Sequence, residues 1–223
     1  MFKRFLVALC LITSSFLFAQ SQPAQSPNPL DQLASAPPLI VLIGPPLSGK
    51  TALADSITTT YGIPAISVED LIKENAPELE RLRGEGISMS EMRYDPSMTR
   101  YLKARVKTID LSRGLVLDGY PSTLVQAEDL AKMIPDLKLY PIGFQIDVPD
   151  DVVRERGKKS DKKSYSPEIV DQRIKDYHRE MDAISLYFPN AKIVHLDGNK
   201  EQPEVWKEFR TAAEAAGVKP IAK

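Results

Sequence analysis

From Leu39 to Ile43 the chain runs Leu-Ile-Val-Leu-Ile without a polar interruption. A short run with no polar face predicts a strand buried on both sides, as in a parallel sheet. Further apolar runs at 65–67, 115–117, 142–148 and 193–196 predict four more strands. The stretches between them carry helical spacing, at 49–60, 68–83, 97–111, 122–133, 150–157, 167–187 and 201–216. Strands that alternate with helices predict an α/β fold in three layers, with a central five-stranded parallel sheet covered on both faces. Parallel crossovers are right-handed, so ligands gather at the carboxyl ends of the strands. Gly44 to Thr51, Asp118 to Pro121 and Asp147 to Asp150 all follow strands there, and one cleft can gather all three.

The amino-terminal region follows another pattern. Lys3 and Arg4 precede an apolar run from Phe5 to Ala19, broken by Thr13, Ser14 and Ser15. A basic start and a short apolar stretch predict a secretory signal peptide over 1–19, cut near Ala19–Gln20, and hence a periplasmic or secreted protein. The run is short for a membrane span, so no stable span is expected after cleavage, with an uncleaved anchor as the alternative. Leu9 before Cys10 excludes a lipoprotein signal. Residues 20–37, rich in Pro, Gln, Ser and Ala, predict a flexible linker, which leaves 38–223 for one folded domain.

Composition narrows the chemistry. Cys10 is the only cysteine and leaves with the signal, so the mature chain forms no disulfide. Without Lys3 and Arg4, 27 basic side chains face 30 acidic ones, a net charge of −3. That is not the footprint of a nucleic-acid binder. Two histidines and no mature cysteine argue against zinc.

The strongest chemical signal follows the first strand. Gly44-Pro45-Pro46-Leu47-Ser48-Gly49-Lys50-Thr51 has the form Gly-x-x-x-x-Gly-Lys-Thr, with a strand before it and a helix beginning at its end. Loop N–H groups and the helix dipole then point at a polyphosphate. Lys50 would reach its outer phosphates, and the Thr51 hydroxyl would hold Mg²⁺. The bland alternative is a Gly/Pro turn beside a surface lysine. Asp118, which ends the strand before Gly119-Tyr120-Pro121, suits a second Mg²⁺ ligand, or else a turn aspartate.

Taken together, these residues resemble the adenylate kinase family of nucleoside monophosphate kinases. Gly44–Lys50 is similar to its P-loop, and Leu117-Asp-Gly-Tyr-Pro-Ser-Thr123 with Gln126 to its acceptor-holding Leu-Asp-Gly-Phe-Pro-Arg-Thr segment. Asp147-Val-Pro-Asp150 with Arg156, Arg173-Ile-Lys-Asp-Tyr177 and His195-Leu-Asp-Gly198 match later motifs in order. The resemblance implies a P-loop kinase fold with a small acceptor-binding subdomain over about 64–105 and a lid near 157–166. It implies Mg²⁺-dependent transfer of a phosphoryl group from ATP to a nucleoside monophosphate, AMP by default, in a monomer. Lys50, Arg156 and Arg173 would be catalytic. Gly44 to Ala52 would hold ATP, Thr51 and Asp118 the Mg²⁺, and Lys73, Gly119, Tyr120 and Gln126 the acceptor.

Several positions depart from the family pattern. Leu47 stands where glycine is usual, a change that is free of strain if the position needs no positive φ. The family's Thr-Gly-Asp-x-Leu-Arg becomes Val68-Glu-Asp-Leu-Ile-Lys73, and the arginine after Phe-Pro becomes Ser122. Arg81, Arg83, Arg93, Arg100 and Arg105 are candidates to replace the missing charge, or else solvated helix charges. Lys158, Lys159, Lys162 and Lys163 supply the lid with charge in place of arginine. Two other activities therefore stay open: an exported nucleotide binder with little catalysis, and a P-loop kinase for a non-nucleotide acceptor. His178 is expected on the surface, His195 half-buried at a strand end, and Trp206 and Phe209 packed on the sheet.

Overall fold

The computed structural model describes residues 36–83, 89–160, 165–186 and 192–220. The expected signal peptide, nearly all of the linker and the centre of the lid lie outside the described residues. The strands are β1 (Pro38–Ile43), β2 (Ala65–Ser67), β3 (Leu115–Asp118), β4 (Tyr140–Asp147) and β5 (Lys192–Asp197). The helices are α1 (Lys50–Tyr61), α2 (Val68–Arg83), α3 (Met89–Met92), α4 (Ser97–Val106), α5 (Leu124–Leu137), α6 (Asp150–Lys158), α7 (Pro167–Leu186) and α8 (Gln202–Ala215).

All five strands are parallel in the order β2-β3-β1-β4-β5, with β1 at the centre. Strand alternation explains why β1 is apolar throughout. Leu39, Val41 and Ile43 face a cluster built with α2, α4, α5 and α7, through Leu71, Leu102, Leu130 and Ile184. Ile40 and Leu42 face the opposite layer, where Leu53, Ile57 and Phe209 of α1 and α8 pack. Trp206 stacks on Phe209 at a centroid distance of 5.5 Å, and Phe209 is fully buried against Phe144 of β4. A Cβ at Gly114 would lie 2.3 Å from the Pro38 carbonyl oxygen, so only glycine (φ +110°) lets β3 start this close to β1.

The element boundaries differ most from the expected ones at α4 and α5, while β4 starts two residues early, at Tyr140. α4 stops at Val106 rather than 111, because the chain turns where the Asp110 carboxylate accepts from the N–H and hydroxyl of Ser112. α5 begins at Leu124, capped by the Thr123 hydroxyl accepting from Gln126 N, and continues through Pro135 to Leu137. Its end is the left-handed Lys138 (φ 52°), which donates to the carbonyls of Ile134 and Pro135. The single-turn helix α3 had no counterpart in the sequence pattern. Among the described residues no helix is long and apolar enough to cross a membrane.

Tyr120, 1% exposed, ties α4 to the segment after β3. Its hydroxyl lies 2.9 Å from that of Thr99 and donates to the Gln126 carbonyl at 3.3 Å. Burial pushes its pKa up to about 12. An acid whose folded pKa exceeds its unfolded value near 10 contributes stability that is intact below pH 10 and lost as the pH rises from there toward 12. The urea midpoint is therefore expected to fall over that range, and to fall less in Tyr120→Phe. At neutral pH that variant should lose about 1 kcal/mol, the worth of a buried hydrogen bond.

Candidate active site

The loop that leaves β1 is shaped by its own backbone. Gly49 caps α1 with φ 96°, and a Cβ at Gly44 (φ +156°) would come within 2.9 Å of the Ile146 carbonyl oxygen. Leu47 takes φ 59°, in the left-handed region, so its position does require positive φ. That conformation costs a non-glycine residue about 1–2 kcal/mol. Two contacts oppose the strain. The Leu47 side chain packs on Val153, Val170 and Ile174, and its carbonyl accepts from Arg156 Nη1 at 3.1 Å.

Lys50 Nζ lies inside this loop and donates to the carbonyls of Gly44 and Pro45, each at 2.8 Å, and to Ser48 Oγ at 3.2 Å. Its pKa is lowered to about 8, first by burial and then by Arg93 and Arg173, while Asp118 and Glu69 act against the shift. The Thr51 hydroxyl donates to Asp118 Oδ2 at 2.6 Å, joining the start of α1 to the end of β3. Asp118 is 6% exposed. A hydroxyl and a carboxylate as hard oxygen donors fit Mg²⁺, which takes one or two protein ligands and leaves the rest to phosphate and water.

A cavity of about 490 Å³ opens above these groups. Gly44, residues 46–52, Asp118 and Gly119 form its floor, while Glu69, Arg93, Ser122 and Arg173 line its walls. Both arginine side chains are 13% exposed, and Glu69 lies between them, 3.3 Å from Arg93 Nη2 and 4.0 Å from Arg173 Nη2. Three cations thus face one cleft at the carboxyl end of a parallel sheet. That arrangement suits a polyphosphate and the charge that moves during phosphoryl transfer.

The adenylate kinase family model matches residues 42–193. The adenylate kinase of Nocardia farcinica (strain IFM 10152) is 30% identical over 171 residues, covering 74% of this chain and 93% of that protein. The adenylate kinase of Methanosarcina barkeri (strain Fusaro / DSM 804) is 28% identical over 206 residues, with 77% and 96% covered. That of Archaeoglobus fulgidus is 26% identical over 211 residues, with 78% and 97% covered. The chain belongs to the adenylate kinase family. It is a nucleoside monophosphate kinase, a phosphotransferase that uses ATP.

Within this family member, the residues singled out from sequence fall into separate places. Lys50, Thr51, Asp118, Gly119 and Arg173 line the main cavity, as do all the P-loop positions except Pro45, whose carbonyl holds Lys50. Arg156 does not line it. Its two terminal nitrogens donate to the carbonyls of Leu47 and Gly198, bracing the P-loop against the turn after β5, beside a second cleft of about 330 Å³. Lys73 is exposed on α2 and paired with Asp70 at 3.3 Å. Tyr120 and Gln126 are buried beneath the cavity. Gln126 Nε2 donates to the carbonyls of Arg93 and Asp95, and its Oε1 accepts from Ser122 N, so it fastens the segment after α3 to the loop after β3.

Of the arginines in the 77–105 insert, Arg100 pairs with Glu78, Arg105 with Glu74, and Arg81 is exposed. The Arg83 side chain lies outside the described residues. Among the described ones Arg93 lines the cavity, and nothing in its sequence neighbourhood set it apart from the others. The cavity position of Glu69 was not anticipated either. His178 is exposed beside Asp150, whereas His195 is exposed rather than half-buried, because β5 is an edge strand and Asp147 holds the ring at 2.8 Å. Of the lid, Ser160 and Tyr165 line the cavity, and Lys158 pairs with Glu155.

Replacing Asp118 with Asn keeps the shape of the Thr51 contact and removes its charge. ATP binding in the presence of Mg²⁺ is expected to weaken roughly 10- to 100-fold, the usual effect of losing one such partner. Binding in excess chelator should change far less, and calorimetry under the two conditions compares them.

Proposed function

We propose that this chain is an exported, monomeric adenylate kinase-like enzyme that phosphorylates AMP. The observation that carries the reading is the convergence of Lys50, the Thr51–Asp118 pair, Arg93 and Arg173 on one cleft. The P-loop N–H groups and Lys50 hold the β- and γ-phosphates of ATP. Thr51 and Asp118 hold Mg²⁺, which when bound neutralises charge on those phosphates. An oxygen of the acceptor phosphate forms a bond to the γ-phosphorus, and the bond from that phosphorus to the β–γ bridging oxygen breaks. ADP leaves on the donor side and a nucleoside diphosphate forms on the acceptor side. Arg173 neutralises the transferring group, and Arg156 acts on the same step indirectly, by bracing the Leu47 carbonyl. The basic start and apolar run over 1–19 support export.

A coupled assay over a panel of nucleoside monophosphates tests the reaction. ADP formation that depends on AMP is expected, with a loss of roughly 10²–10³-fold in Lys50→Met. Tight ATP binding without turnover on any acceptor would identify a nucleotide binder, and turnover confined to a non-nucleotide acceptor would identify a different kinase. Fractionation of the source cells, with the mass of the mature amino terminus, tests export. A mass starting near Gln20 is the expected result.

A further inference from the structure

We propose that Arg93 is the acceptor-phosphate ligand of this enzyme and that Glu69 is its built-in counter-ion, displaced when the acceptor enters. This rests on the reading of the acceptor as a nucleoside monophosphate. The two positions where the family pattern places acceptor-side arginines do not supply a guanidinium. Lys73 points to solvent, its side chain 65% exposed, and Ser122 Oγ donates to the Gly119 carbonyl. The missing charge is brought in from the segment between α3 and α4.

Three contacts fix Arg93 in this role. Its carbonyl accepts from Gln126 Nε2 at 3.0 Å, which anchors its backbone to the loop after β3. Its Nη1 lies 2.8 Å from where a Cβ on Gly119 would stand, so a side chain there would push the guanidinium from this place. Its Nη2 donates to Glu69 Oε1 at 3.3 Å, and its Nε is buried with no hydrogen-bond partner among the described residues. Arg173 approaches the same Glu69 oxygen from α7, steadied by the Tyr165 ring 5.3 Å away.

Two guanidinium groups withdrawn from water beside each other repel, and a single carboxylate offsets them only in part. A phosphate dianion carries more charge and accepts forked hydrogen bonds from both. The partners also differ in freedom. The Glu69 side chain is 42% exposed and can turn into solvent, whereas the arginines are enclosed. Glu69 therefore keeps the grip ordered between turnovers and competes with the incoming phosphate. Its removal should tighten acceptor binding.

Calorimetry on the purified protein with AMP, adenosine and ATP tests this. Arg93→Met is expected to weaken AMP roughly 10- to 100-fold, the worth of one or two charge-assisted hydrogen bonds, and to leave adenosine and ATP within about twofold. Arg93→Lys should fall between that variant and wild type. Glu69→Gln should bind AMP about 3- to 10-fold more tightly, a gain that no folding defect imitates. AMP binding unchanged in Arg93→Met, or weakened in Glu69→Gln, overturns the assignment. Wild-type protein that binds AMP in this pattern but forms no ADP overturns the kinase reading and supports the grip. Wild-type protein that binds no nucleoside monophosphate overturns both.

Discussion

Positive charge drawn out of water at the carboxyl end of a buried parallel sheet is the constraint around which this molecule is arranged. Lys50, Arg93 and Arg173 face one cleft, and Asp118, Glu69 and Glu180 are carboxylates of its lining. Burial lowers the proton affinity of Lys50, and the neighbouring arginines lower it further. A fold keeps such a cluster only where its surroundings hold each group in place. Here the hold is dense: Lys50 donates to its own loop, Thr51 to Asp118, and the Gln126 side chain to the backbone of Arg93. The cleft is therefore built for anions before any anion arrives.

The donor half was legible in the sequence because its chemistry is contiguous. A strand with two buried faces must be apolar throughout, and a loop that presents N–H groups to phosphate must be bounded by glycine. Both requirements fall within residues 39–51. Asp118 was legible for a related reason, since a carboxylate ending an apolar strand leaves the sheet at its ligand-binding end.

The acceptor half was not legible because its chemistry is assembled across the fold. Arg93 differs from Arg100 and Arg105 only in where the chain carries it, and that is decided by a Gln126 bridge from 33 positions away and by the space at Gly119. Local periodicity carries no trace of either. Resemblance marked Gln126 and Arg156 without revealing what they touch. One fastens two loops together and the other braces the P-loop. Leu47 shows the limit from the other side: a residue with a poor local preference for left-handed backbone is held there by contacts with α6 and α7.

The strand order sets apart the two sides of the site. β1 divides the sheet, with β3 and β2 on one side and β4 and β5 on the other. Glu69, Gly119 and Ser122 hang from the first side, while the Arg156 brace and Gly198 belong to the second. The two flanks meet at the central strand and through the helices that cover both faces of the sheet. Lys73 and Ser122, the departures from the family's arginine pattern, both sit on the first flank, while the brace on the P-loop sits on the second. The sheet works as a chassis whose two edges carry different loads, and the departures at Lys73 and Ser122 fall on one of them.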